Sequence, residues 1–192
     1  MYVLFLLLLP LLLPQLLHAQ VVSIEEPVLD IRGIRWKVIE AAEYDIVFPD
    51  SLEAEARSLA GTLDYLAPLQ TESLNPVRQH RFSIVLDTRD FSANGYVSIF
   101  PRVSVYYSLP WAGEGSDWYT LLAVHEGRHM TQIDTANQGP LHLLTLLFGE
   151  QGFLPLLAAP RWVMEGDAVL METLLTRSGR GRDPAFSLLL KS

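Results

Sequence analysis

Apolar positions recur along this chain with different periods, and each period predicts a different kind of element. Between residues 35 and 107 the apolar side chains come in short β-branched and aromatic runs. Arg35 to Ile39, Tyr44 to Phe48, Arg81 to Leu86, Tyr96 to Phe100 and Val103 to Tyr107 read as five strands. Asn94-Gly95 is a turn signal ahead of the fourth, and Pro101, between the last two, suits an edge strand or a bulge rather than a central strand. Such an edge is able to pair with an extended peptide, although an ordinary sheet edge has the same pattern. Between the second and third strands, Leu52, Ala56, Leu59, Leu63 and Leu66 repeat at helical spacing. Asp50 is placed as the N-cap of that helix, Glu53 completes a capping box, and Pro68 is expected to end it.

Two more helical patterns follow. One starts near Ser116-Asp117-Trp118 and runs to about Ala136, where Asn137-Gln138-Gly139-Pro140 stops it. The loop Trp111 to Gly115 delivers the chain to it. The other opens at Pro160 and ends near Ser178-Gly179. The segment between them, 141–159, is strongly apolar but interrupted by Gly149-Glu150-Gln151-Gly152 and Pro155, which excludes a span. It reads as two short helical pieces covering the core, with a hairpin lying on a membrane surface as the alternative. Strands followed by helices imply an α+β domain built on a small mixed sheet.

The first nineteen residues have no period and no charged side chain. The apolar run 3–17, broken by Pro10 and Pro14 and followed by His18-Ala19-Gln20, reads as a signal peptide cleaved after Ala19. An uncleaved membrane anchor is the competing interpretation. The expected organisation is therefore a leader over 1–19 and one domain over 20–192. The chain has no cysteine, so neither a disulfide nor a lipid-bearing cysteine is available. Export without disulfides points to a bacterial envelope or periplasm. The net charge of −8 lies wholly beyond the leader and argues against nucleic acid as a partner, but not against a peptide.

The candidate chemistry sits on the second helix. His125-Glu126-Gly127-Arg128-His129 reads H-E-x-x-H, and residues four apart on a helix stand one turn above each other on one face. His125 and His129 can thus hold one metal ion through two imidazole nitrogens. Glu126, offset around the helix, can take a proton from a water at that ion. Trp118, Leu121, Leu122, His125 and His129 fall on one inward stripe, where imidazoles without a ligand are poor choices. Gly127 costs the helix about 1 kcal/mol relative to alanine, which close approach of another backbone would explain. On the last helix Trp162, Glu165, Val169 and Glu172 share a face. A carboxylate on such a face needs a partner, and for Glu165 a metal held by the histidines supplies one; for Glu172 a solvated face explains the residue equally well.

H-E-x-x-H followed by Trp162-x-x-Glu165-Gly166-x-Ala168-x-x-x-Glu172 resembles the gluzincin zinc metallopeptidases, the aminopeptidase-like peptidase MA group. The resemblance implies a zincin-like fold with His125, His129 and Glu165 as zinc ligands, Glu126 as general base and Glu172 steadying a ligand histidine. The order of leader, α/β region, metal helix, Pro160-x-Trp162 helix and Gly179-Arg180-Gly181-Arg182 loop is similar to the peptidase region of exported bacterial proteins with a Tol-like β-propeller. That implies zinc-dependent hydrolysis of a peptide or protein substrate in the envelope, with peripheral membrane contact through 141–159 as a possible accompaniment. The chain departs from that pattern in three respects. The gap from His129 to Glu165 is long, propeller repeats are absent, and no tyrosine or histidine follows Glu172 to stabilise an oxyanion. Two alternatives stand beside the peptidase: a non-catalytic, zinc-stabilised envelope binding module, and a fragment of a longer peptidase–propeller protein. Other metal classes fit less well: Thr135 and Gln132 occupy the positions where a metzincin carries histidine and glycine, and a di-iron bundle needs a second E-x-x-H besides Glu126–His129.

Overall fold

The computed structural model describes residues 33–192 apart from 78, 91, 111–117, 150, 153–159, 185 and 187–192. The expected leader, the loop at 111–115 and the second apolar piece near 153–159 lie outside the described residues. The fold is α+β. Five strands, β1 (Trp36–Glu40), β2 (Tyr44–Pro49), β3 (Phe82–Asp87), β4 (Gly95–Ser98) and β5 (Val103–Tyr107), form one mixed sheet in the order β1-β2-β3-β5-β4. β2, β3 and β5 run parallel, while β1 and β4 are antiparallel to their neighbours. Four helices accompany the sheet: α1 (Glu53–Glu72), α2 (Trp118–Ala136), α3 (Gly139–Phe148) and α4 (Arg161–Leu175).

The strand period of two decides which side of the sheet is covered. Ile46, Phe48, Ile84, Leu86 and Tyr106 alternate inward and are buried, whereas Asp45, Val47, Ser83 and Val85 between them stay partly open. The inward set packs on Ala56, Leu59 and Leu63 of α1 and on Trp118, Leu121 and Leu122 of α2. Leu66, Val124 and Met171 then join α1, α2 and α4 in a smaller cluster. β4 is an edge of the sheet, as the Asn94-Gly95 and Pro101 signals predict. It is shorter than expected, because Ser98 Oγ and Phe100 O close a turn ahead of Pro101.

Four local expectations are corrected. Asp50 does not cap α1: residues 50–52 form a 3₁₀ turn, Asp50 pairs with Arg35 at 2.8 Å, and Glu53 pairs with Lys37 and Arg57 instead of closing a capping box. Pro68 does not end α1 either, since the helix continues to Glu72. The last turn is held from outside, where Gln70 Nε2 donates to Ala123 O at 3.1 Å and Arg128 donates to Gln70 O. Tertiary hydrogen bonds thus outweigh the local penalty of the proline. The neighbour that Gly127 admits is a side chain rather than a backbone: a Cβ there would lie 2.4 Å from Gln70 Oε1. Finally, α3 does not cover the core. It contains no buried residue, and Leu143, Leu146, Leu147 and Phe148 all face solvent. No helix among the described residues is long and apolar enough to cross a membrane.

Candidate metal centre

α2 lies against α1 and β4 on one side and α4 on the other, so residues 121–128 are all buried. The helical spacing places the imidazoles of His125 and His129 edge to face, with centroids 4.7 Å apart. Their Nε2 atoms are 3.1 Å apart. Across from them, α4 brings Glu165 Oε2 to 3.4 Å from His125 Nε2 and 3.7 Å from His129 Nε2. Among the described residues these three form the group able to hold a metal ion.

The donor set suits a metal ion on three grounds. The triangle's edges bracket the roughly 3.3–3.4 Å separation expected of ligand atoms about 2.0–2.1 Å from a tetrahedral ion. Each histidine has an oxygen acceptor at its other nitrogen: Glu172 Oε1 lies 2.5 Å from His125 Nδ1, and Gln132 Oε1 lies 2.9 Å from His129 Nδ1. A proton on each Nδ1 would leave the two Nε2 lone pairs facing one another, an arrangement that a cation between them would relieve; His125 Nδ1 also has Arg180 Nη2 at 2.8 Å, on the side away from the triangle. Nitrogen and carboxylate oxygen are also the ligand types that zinc takes with an open fourth position.

The two carboxylates of α4 occupy different environments. Glu165 is 47% exposed, and Trp162, one turn earlier, is 76% exposed, so the amino-terminal end of their shared face opens to solvent. Glu172 is 0% exposed, which removes the solvated-face explanation for it. Besides His125 it receives Arg180, through Nε at 2.9 Å and a closer contact from Nη2. Burial opposes ionisation of Glu172, but the hydrogen bonds from Arg180 and His125 outweigh it and hold the carboxyl at about 2. The Arg180 loop docks closely: a Cβ on Gly179 would lie 2.3 Å from Glu172 O, and one on Gly181 would lie 2.4 Å from Thr173 Oγ1. Both glycines are therefore required by close approach, which gives the Gly-Arg-Gly-Arg stretch a structural purpose.

Glu126 is buried beside the triangle without belonging to it. Its Oε1 lies 3.1 Å from where a Cβ on Gly95 would stand, so it sits against the edge strand β4 at a point only glycine leaves open. Burial raises its carboxyl to about 7; His125 and Arg180 oppose that rise, while Glu165 and Glu172 add to it. Burial likewise lowers the His129 imidazole, against the pull of its hydrogen bond to Gln132.

His125, His129 and Glu165, expected together, are together; Glu126 is buried beside them and Glu172 contacts His125. Sequence reasoning assigned nothing to Arg180, Gln132, Asp167 or Arg128. The spacing of Gln132, three residues after His129 on one helix, was the available signal; the other three are positioned by tertiary contacts that no local spacing encodes. No protein-family model, curated protein or solved structure matches this chain.

Proposed function

We propose that this protein is a zinc-dependent peptidase of gluzincin type, exported to the bacterial envelope, with His125, His129 and Glu165 as metal ligands. The observation that carries this reading is the convergence of two imidazole Nε2 atoms and one carboxylate oxygen, with a second, buried carboxylate beside them that is not a ligand. Zinc held there supplies a Lewis acid that polarises a substrate carbonyl and acidifies a water. The remaining work falls to the chain's own residues. Glu126, with its carboxyl lifted towards neutrality, takes a proton from the attacking water and hands it to the leaving amine. Glu172 and Gln132 hold the two imidazoles in the tautomer that keeps Nε2 free. The outer edge of β4, which has no neighbouring strand among the described residues, lies next to Glu126 and is the place where an extended peptide would pair.

Glu126→Gln tests the reading, because it keeps shape and hydrogen bonding and removes only the proton acceptor. The expected result is retained zinc and stability with peptide cleavage reduced at least about a hundredfold, the scale of general-base catalysis. Wild-type protein with full zinc that cleaves nothing across a broad peptide library contradicts the peptidase and leaves a zinc-stabilised binding module.

A further inference from the structure

Behind the histidines lies a second polar cluster that the proposed chemistry does not use directly: Arg128, Asp167 and Gln132. Arg128 sits inside the H-E-x-x-H run yet points away from the ligand triangle and is almost wholly buried. Its guanidinium grips Asp167 through Nε at 2.6 Å and Nη2 at 2.9 Å, and also donates to Ser73 Oγ and Gln70 O at the end of α1. Asp167 in turn accepts from Gln132 Nε2 at 2.7 Å, and Met164 O accepts from the same nitrogen at 3.0 Å. With two acceptors at its nitrogen, the amide can point only its oxygen at His129, and Oε1 lies 2.9 Å from Nδ1.

We infer that Gln132 is a positioning residue for His129, its amide held in one direction by the buried Arg128–Asp167 ion pair. The inference rests on His129 being a metal ligand. Its consequence is twofold. An acceptor at Nδ1 leaves the lone pair on Nε2, the nitrogen that faces His125 and Glu165. Asp167 also lies two residues beyond Glu165 on α4, so the same ion pair sets the glutamate helix in register with the histidine helix. His129 thereby receives a neutral amide where His125 receives a carboxylate.

The test uses the full chain stripped of metal, with zinc affinity from chelator competition and the visible absorption of bound Co²⁺ as readouts. Gln132→Leu keeps the side chain's size and leaves the Arg128–Asp167 pair intact. It is expected to weaken zinc about 10- to 100-fold, as loss of an outer hydrogen-bond partner does, and to shift the Co²⁺ bands. Asp167→Asn frees the amide to turn and is expected to weaken zinc as well. A purely structural role for Gln132 would change the unfolding temperature without moving the Co²⁺ bands. Unchanged affinity and spectrum in Gln132→Leu overturns the inference alone. A wild-type chain that takes up neither metal overturns the metal centre and the inference together.

Discussion

The two ends of α4 carry the same side chain, two turns apart on one face, and do opposite things with it. At the open end Glu165 is half-exposed, with the Nε2 atoms of the two histidines at 3.4 and 3.7 Å. At the deep end Glu172 is wholly enclosed and saturated by Arg180 and His125. A carboxylate whose lone pairs are already taken by an arginine and an imidazole N–H orients its neighbours and is a poor metal ligand. One that meets imidazole nitrogens, beside solvent from which an ion can enter, is available to bind. Depth and partners, rather than residue type or helical phase, separate the proposed ligand from its proposed support.

The largest effect that sharpens this contrast is expected from Glu165→Gln. Removing an anionic ligand should weaken zinc by more than the roughly 10- to 100-fold typical of supporting residues, with little change in the stability of the metal-free protein. Glu172→Gln should do the reverse. Zinc affinity falls only about 10- to 100-fold, while the metal-free fold loses on the order of 1–3 kcal/mol because Arg180 and His125 lose a buried charged acceptor. Titration calorimetry and thermal unfolding separate the two effects, and a variant pair with these outcomes exchanged would reverse the assignment.

The difference has a pH signature as well. The Glu172 carboxyl stands at about 2 in the fold against an ordinary 4.5, so its contribution is present above pH 4.5 and is lost as the pH falls towards 2. Metal-free wild type should therefore lose stability over that window, and Glu172→Gln should show a flatter acid limb in the same scan. The smallest effect is expected from Trp162→Ala. A side chain 76% exposed at the open end should change stability by no more than about 0.5 kcal/mol and leave zinc affinity as it was.

How far each feature could be read from the sequence follows from the range of the forces behind it. The five strands, the α2 boundaries and the His125–His129 pair were legible because period and spacing are local properties of a helix or strand. The fate of Pro68 was not, since what overrides it comes from Ala123 and Arg128, more than fifty residues on. The same holds for Asp50, whose expected cap was lost to Arg35 across the β1–β2 hairpin. α3 teaches the converse. Its leucines read as core, but hydrophobicity does not say which partner will arrive, and the sheet's covered face is already filled by α1 and α2. Within the site, the three residues able to hold a metal ion were readable from two short motifs. The supports for its histidines were only half readable, because Arg180 and Asp167 reach them by tertiary contact.

The central claim is that His125, His129 and Glu165 hold one metal ion, and metal content tests it most directly. Purified wild-type chain analysed by elemental mass spectrometry is expected to carry about one zinc per molecule, and His129→Ala to have lost most of it. Equal zinc in the two proteins, or none in the wild type, would contradict the account.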